Sequence, residues 1–110
     1  MELRPRLPET FAALGNPVRL AIVERLISEG ELPAGDLADG ALSAPAMSHH
    51  LKVLRDAGIL TQRVDAQRRL YSVRPEAIEA IGRWSLSYRE FWERSLDRLG
   101  RLISKRGKRQ

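Results

Sequence analysis

Glycines divide the first half of the sequence into helix-length pieces: Gly15, Gly30, Gly40 and Gly58 each stand where a helix can end just before a left-handed residue. A first helix is expected over residues 7–14. Asn16 and Pro17 then supply an N-cap and a first-turn proline for a second helix over residues 18–28. There Val18, Ile22, Val23, Leu26 and Ile27 follow the 3.6-residue period and leave Arg19, Glu24 and Arg25 more exposed. A short third helix over residues 34–39 turns Leu37 and Ala38 inward, and Ser43 caps a fourth over residues 44–57, where Pro45 is tolerated in the first turn. On this fourth helix Met47, Leu51 and Leu54 share one stripe. Pro45, His49 and Lys52 project from the opposite face, with Ser48 beside them.

Beyond Gly58 the pattern changes. Residues 59–64 and 69–73 are β-branched, aromatic or alternating, and Asp65, Ala66, Gln67 and Arg68 separate them, so a β-hairpin is expected. Pro75 then opens a helical stretch expected to run unbroken over residues 76–104. Its apolar positions, Ile78, Ile81, Ser85, Tyr88, Trp92, Leu96, Leu99 and Ile103, recur at near-heptad spacing, widened by Trp84, Phe91 and Leu102 and locally weakened by Gly82 and Gly100. The fold class is thus mainly α with a small β-hairpin, in one domain over residues 1–104 with a basic disordered tail over 105–110.

Two helices joined by a turn and followed by a hairpin make a helix-turn-helix with a wing. The second helix of such a pair can lie in the major groove of DNA while a basic hairpin reaches the neighbouring backbone. The charge map agrees with that use. The net charge is +5, but residues 1–39 carry −3, residues 40–75 carry +4, residues 76–100 carry −1 and the last ten residues +5. A basic centre between acidic flanks is what a phosphate-facing surface on a neutral scaffold requires. A three-helix core with an ornamental hairpin has the same secondary structure; the order of elements weighs against it and the charge map adds to that, although charge alone would not outweigh an ordinary solvated face.

The run Ser43-Ala44-Pro45-Ala46-Met47-Ser48-His49-His50-Leu51-Lys52-Val53-Leu54-Arg55-Asp56-Ala57-Gly58 resembles the recognition helix of ArsR/SmtB-type winged-helix repressors. Gly15-Asn16-Pro17-Val18-Arg19 is similar to the opening of that family's second helix, and Arg68-Arg69-Leu70-Tyr71 to its second wing strand. Tyr88-Arg89-Glu90-Phe91-Trp92 resembles a segment of members that lack metal sites. The resemblance spans residues 8–100 and implies a homodimeric repressor that binds a near-palindromic operator and is released by an inducing signal. The DNA-facing residues expected on this basis are Ser43, Ala44, Pro45, Ser48, His49 and Lys52 on the helix, with Arg63, Gln67, Arg68 and Arg69 on the wing. His49 is the candidate for base edges, Ser48 for a base edge or a phosphate, Lys52 for phosphate, and Ala44 and Pro45 for apolar contact such as a thymine methyl. His50 borders the apolar stripe, where a structural role and a groove contact are both open.

Departures from the family are informative. Its arsenic- and cadmium-type sensors carry two cysteines in a run that here reads Glu31-Leu32-Pro33-Ala34-Gly35-Asp36-Leu37, and the chain contains no cysteine. Disulfides, thiol switches and thiolate metal sites are therefore excluded. The family's other well-known site needs imidazole on the last helix, yet no histidine follows His50, and carboxylates alone do not select transition metals. The adjacent His49 and His50 diverge by about 100° and cannot chelate one ion. No cofactor is expected. The wing also lacks the glycine usual at its tip, having Ala66 and Gln67.

A helix of about 28 residues cannot be buried along its whole length against so small a chain, so its apolar face calls for a partner subunit. Trp84, Tyr88, Phe91, Trp92, Leu96, Leu99 and Ile103 are expected at this dimer interface, joined by Leu7, Phe11 and Leu14 of the first helix. An organic effector would find its pocket there. No nucleophile with its base, paired carboxylates or phosphate loop is assembled, so an enzyme is not expected. The competing reading is a dimeric winged-helix module that binds protein rather than DNA. No apolar run approaches membrane-spanning length and no signal-peptide pattern opens the chain, so a cytoplasmic protein without membrane association is expected.

Overall fold

The structure, a computed structural model, describes residues 6–38 and 40–107. In chain order its elements are α1 (Leu7–Leu14), α2 (Pro17–Glu29), β1 (Leu32–Pro33), α3 (Ala34–Leu37), α4 (Ala44–Asp56), β2 (Leu60–Asp65), β3 (Arg68–Val73), α5 (Pro75–Leu86) and α6 (Arg89–Gly107). The chain divides into two compact units, one ending at Ala80 and the other beginning at Ile81. No helix among the described residues is long and apolar enough to cross a membrane.

The cap residues act as expected. The Asn16 side chain accepts from the Val18 and Arg19 amides at 2.9 and 3.1 Å, and the Ser43 hydroxyl accepts from the Ala46 amide at 3.2 Å. Gly30, Gly40 and Gly58 have positive φ, but Gly15 does not, with φ of −76°. A Cβ at Gly15 would lie 3.3 Å from the Phe11 carbonyl oxygen, so the close turn into α2 has little room for a side chain. At Gly58, φ is +78°, its amide donates to the Arg55 carbonyl at 2.9 Å, and the Ile59 amide donates to the Leu54 carbonyl at 3.0 Å. This paired closure ends α4 and turns Ile59 back into the core beside Leu54, both fully buried.

In the first unit Ala13, Ile22, Val23, Leu26, Leu37, Met47, Leu51, Leu54, Ile59, Leu60, Tyr71 and Ala77 form one buried cluster. The stripe Met47, Leu51 and Leu54 is thus satisfied within the chain. Ile27, expected on the buried face of α2, is exposed. Ala38, expected inside the third helix, is exposed with extended backbone because α3 ends at Leu37; Asp39, the expected last residue, lies outside the described residues.

The expected hairpin is two strands of a three-stranded antiparallel sheet in the order β1-β3-β2. β1 pairs Leu32 with Tyr71 and Pro33 with Leu70, and Pro33 is tolerated because β1 is an edge strand. The hairpin closes with Asp65 opposite Arg68, so Ala66 and Gln67 alone form the turn rather than a four-residue loop. Ala66 takes φ of +57°, a conformation that glycine adopts at lower cost.

The helix expected over residues 76–104 is two helices. At the break the Ser87 hydroxyl donates to the Trp84 carbonyl at 2.7 Å, and the Tyr88 amide donates to the Ser85 carbonyl three residues back at 3.2 Å. This tighter turn, with serine competing for a backbone carbonyl, ends α5. Trp84 and Tyr88 meet edge to face across it, ring centroids 5.6 Å apart. α6 continues to Gly107, so part of the tail expected to be disordered is helical, while Lys108 and Arg109 lie outside the described residues.

Candidate nucleic-acid interface

α4 is anchored by its apolar stripe, and that anchoring decides what its other face can do. Ser43, Ala44, Pro45, Ser48, His49 and Lys52 are all exposed, so the residues expected to face DNA form one accessible surface along the helix. The Ser43 oxygen is already an acceptor in the cap and keeps its proton free to donate. Lys52 donates to Asp56 at 2.7 Å, and this hydrogen bond holds the Asp56 carboxyl below the usual carboxylate range. Both groups are exposed, and the pair is a single-pronged contact between neighbouring turns of one helix that water screens.

His50 sits at the border between the two faces and is half-buried. Its Nδ1 lies 3.3 Å from an Arg19 guanidinium nitrogen, and the same guanidinium donates through Nε to the Ala13 carbonyl at 2.7 Å. One side chain from the start of α2 therefore ties the end of α1 to the middle of α4. Burial, reinforced by the charge of Arg19, lowers the pKa of His50 and so favours the neutral ring, in which Nδ1 can accept from the Arg19 guanidinium. Arg19, which the helical period leaves more exposed, is half-buried for this reason. Its role had no sequence signal, since the partners are 6 and 31 residues away. Beside this contact a groove of about 310 Å³, lined by Glu9, Ala12, Arg19, Val53 and Asp56 among others, separates α1 from α4.

On the wing, Gln67, Arg68 and Arg69 are exposed at or next to the turn. Arg68 lies 3.9 Å from Asp65, a loose local pair, and Arg69 has no ion-pair partner among the described residues. Arg63 differs. Its Nε and a terminal nitrogen donate to both carboxylate oxygens of Glu31 at 2.8 and 2.7 Å, so it is turned toward β1 rather than toward the tip. The hydrogen bond lowers the pKa of Glu31 and raises that of Arg63. Glu31 has no place among the sequence-derived site residues because its pairing exists only once β1 has joined the sheet.

The residues expected at a dimer interface fall into two groups. Leu7 and Leu14 are half-buried, and Leu14 packs on the core of its own unit, while Phe11 is exposed. In the second unit Trp84, Tyr88, Phe91, Trp92, Leu96, Leu99 and Ile103 are all exposed, as are Leu86 and Leu102.

Residues 14–63 match the model of a helix-turn-helix domain family. The chain is 42% identical over 98 residues to the HTH-type transcriptional regulator Rv2034 of Mycobacterium tuberculosis, covering 88% of each protein. It is 30% identical to the transcriptional repressor SdpR of Bacillus subtilis over 79 residues, covering 71% of this chain and 87% of that one. Its fold is similar to the crystal structure of an ArsR family transcriptional regulator, with a TM-score of 0.72 and 28% identity over 79% of this chain and 96% of that chain. A capped helix with a free polar face, a wing two residues after its closing glycine, and relatives aligned across both elements lead to one conclusion: the chain belongs to the ArsR family of winged helix-turn-helix regulators and is a DNA-binding transcriptional regulator, not an enzyme.

Proposed function

We propose that this regulator acts as a cytoplasmic homodimeric repressor whose two α4 helices enter successive major grooves of a near-palindromic operator, roughly 34 Å apart. Ser48 and His49 read base edges, and Ala44 and Pro45 supply apolar contact. Ser43, Lys52, Gln67, Arg68 and Arg69 hold the backbone, with Arg63 as a further cation behind the tip. No arginine, asparagine or glutamine stands on the first turn of α4, so groove shape carries part of the discrimination. The dimer is sealed by the apolar face of α5 and α6 with help from α1. The observation that carries the reading is the exposure of every expected contact residue on α4 and at the wing tip.

Release by thiol chemistry has no cysteine available, and release by zinc, cadmium or arsenite lacks thiolates and lacks an imidazole after His50 for a site on the last helix. Release then comes from an organic molecule, from a protein partner or from a fall in repressor concentration when the protein represses its own promoter, and any ligand must bind the DNA-free form better than the DNA-bound one. Selection of bound genomic fragments followed by titration of a labelled operator tests this. The expected result is sequence-selective binding that His49→Ala or Ser48→Ala flattens and that micromolar metal leaves unchanged. Binding that ignores sequence, or stoichiometric release by a metal, overturns it.

A further inference from the structure

We propose that Glu31 is an intramolecular decoy for a DNA phosphate, holding the Arg63 guanidinium against the outer face of the wing sheet so that the wing grips DNA with less than its full charge. The inference rests on the DNA-facing role of the wing given above and concerns a residue outside that surface.

The register sets the geometry. Arg63 on β2 is opposite Leu70 on β3, which in turn is opposite Pro33 on β1. Tyr71, the next residue along β3, belongs to the core cluster, and successive strand residues face opposite sides, so Arg63 lies on the outer face. Glu31 immediately precedes β1. Two strand spacings, about 10 Å in all, separate β1 from β2, and an arginine and a glutamate must both extend over β3 to meet. They do so with both carboxylate oxygens engaged, the two-pronged arrangement a guanidinium also offers a phosphate. Leu70 is buried yet stands outside the core cluster, as expected for a side chain flanked on that outer face by Arg63 and Pro33.

The three wing arginines therefore differ in availability. Arg69 is unpaired among the described residues, Arg68 is held loosely at 3.9 Å, and Arg63 alone has a two-pronged partner. That partner lies outside the basic segment 40–75, in the acidic first third, so the segment's net charge of +4 overstates what the wing presents to DNA. A purely positioning role is the competing account, and two features weigh against it. The hairpin is already held by six cross-strand residue pairs, and the ion pair is open to solvent, where such pairs add little to stability. Glu31→Gln keeps the shape and removes the charge.

The test uses the full-length protein and a random-sequence duplex of about three helical turns, with binding followed by fluorescence anisotropy between about 50 and 200 mM salt. Circular dichroism and thermal unfolding confirm that each variant folds. Glu31→Gln is expected to bind about threefold more tightly and to steepen the slope of log affinity against log salt by about 0.9, the signature of one added phosphate contact. Arg63→Ala alone is expected to change affinity less than Arg69→Ala, and Arg63→Ala in the Glu31→Gln background removes the gain. Unchanged or weaker binding by Glu31→Gln, or a gain that survives Arg63→Ala, overturns the decoy while Arg69→Ala still weakens binding. If Arg68→Ala and Arg69→Ala have no effect either, the DNA-facing wing itself falls, and the decoy with it.

Discussion

α4 and α6 are both amphipathic helices, and they use their apolar faces in opposite ways. In α4, Met47, Leu51 and Leu54 are 5, 2 and 0% exposed, whereas in α6 Trp92, Leu96, Leu99 and Ile103 are 52 to 63% exposed. The first helix is complete within its own chain, so its polar face is rigidly presented and free to bind. The second has an apolar face that its own unit leaves in solvent, which is what the proposed contact with a second copy of the chain requires. Helical period alone shows that each helix has a sticky side. Only the packing shows which side is already occupied.

The same chemical change should therefore have different consequences in the two helices. Leu54→Ala is expected to destabilise the fold by about 2–5 kcal/mol, because a fully buried side chain leaves a cavity, and the loss should be independent of protein concentration. Leu96→Ala should lower the thermal midpoint mainly through dimer dissociation, so its effect should shrink as concentration rises. Chemical and thermal unfolding at several concentrations check both, and a concentration-independent loss at Leu96 would erase the contrast.

Leu96→Glu sharpens the comparison further. It should leave helix content intact, give monomers in sedimentation, and reduce operator affinity by about 100-fold or more through loss of the linked second half-site. A dimer that survives this substitution would show that α6 has a different partner.

A smaller effect belongs to His50, on the border of the two faces of α4. Its folded pKa lies below the ordinary 6.5, so as pH falls through that value the unfolded chain takes up the proton before the folded one does. Stability should decline with falling pH over that window in the wild-type protein, and His50→Gln should flatten this part of the profile. Denaturant midpoints measured across the histidine range decide it.

The smallest effect is expected at the wing. Ala66→Gly should stabilise the hairpin by about 0.5–1 kcal/mol, because alanine carries a steric cost at positive φ that glycine does not. A loss of stability on this substitution would show that the turn gains more from the stiffness of alanine than it loses to strain.

Much of this architecture could be read residue by residue. Asn16, Pro17, Ser43 and Gly58 mark element boundaries because caps and left-handed closures depend on a few neighbouring atoms, and the structure shows the expected bonds at Asn16, Ser43 and Gly58. The stripe Met47, Leu51 and Leu54 was legible because period and burial coincide in α4. α6 shows the limit: its apolar positions were equally plain, but the break at Ser87 and Tyr88 was not. Nothing in the apolar spacing registers a serine bonding to the Trp84 carbonyl.

The sequence by itself determined the four helices before Gly58 and the hairpin after it, the polar face of α4, and the absence of thiol chemistry, because each depends on local bonding or on composition. The tertiary structure alone decided that Leu32 and Pro33 form an edge strand, that Arg19 joins Ala13 to His50, and that Arg63 is paired with Glu31. Apart from the short reach from Arg19 to Ala13, these are pairings between segments about 30 residues or more apart. Their partners become neighbours only after burial of the core brings α2, α4 and the sheet together.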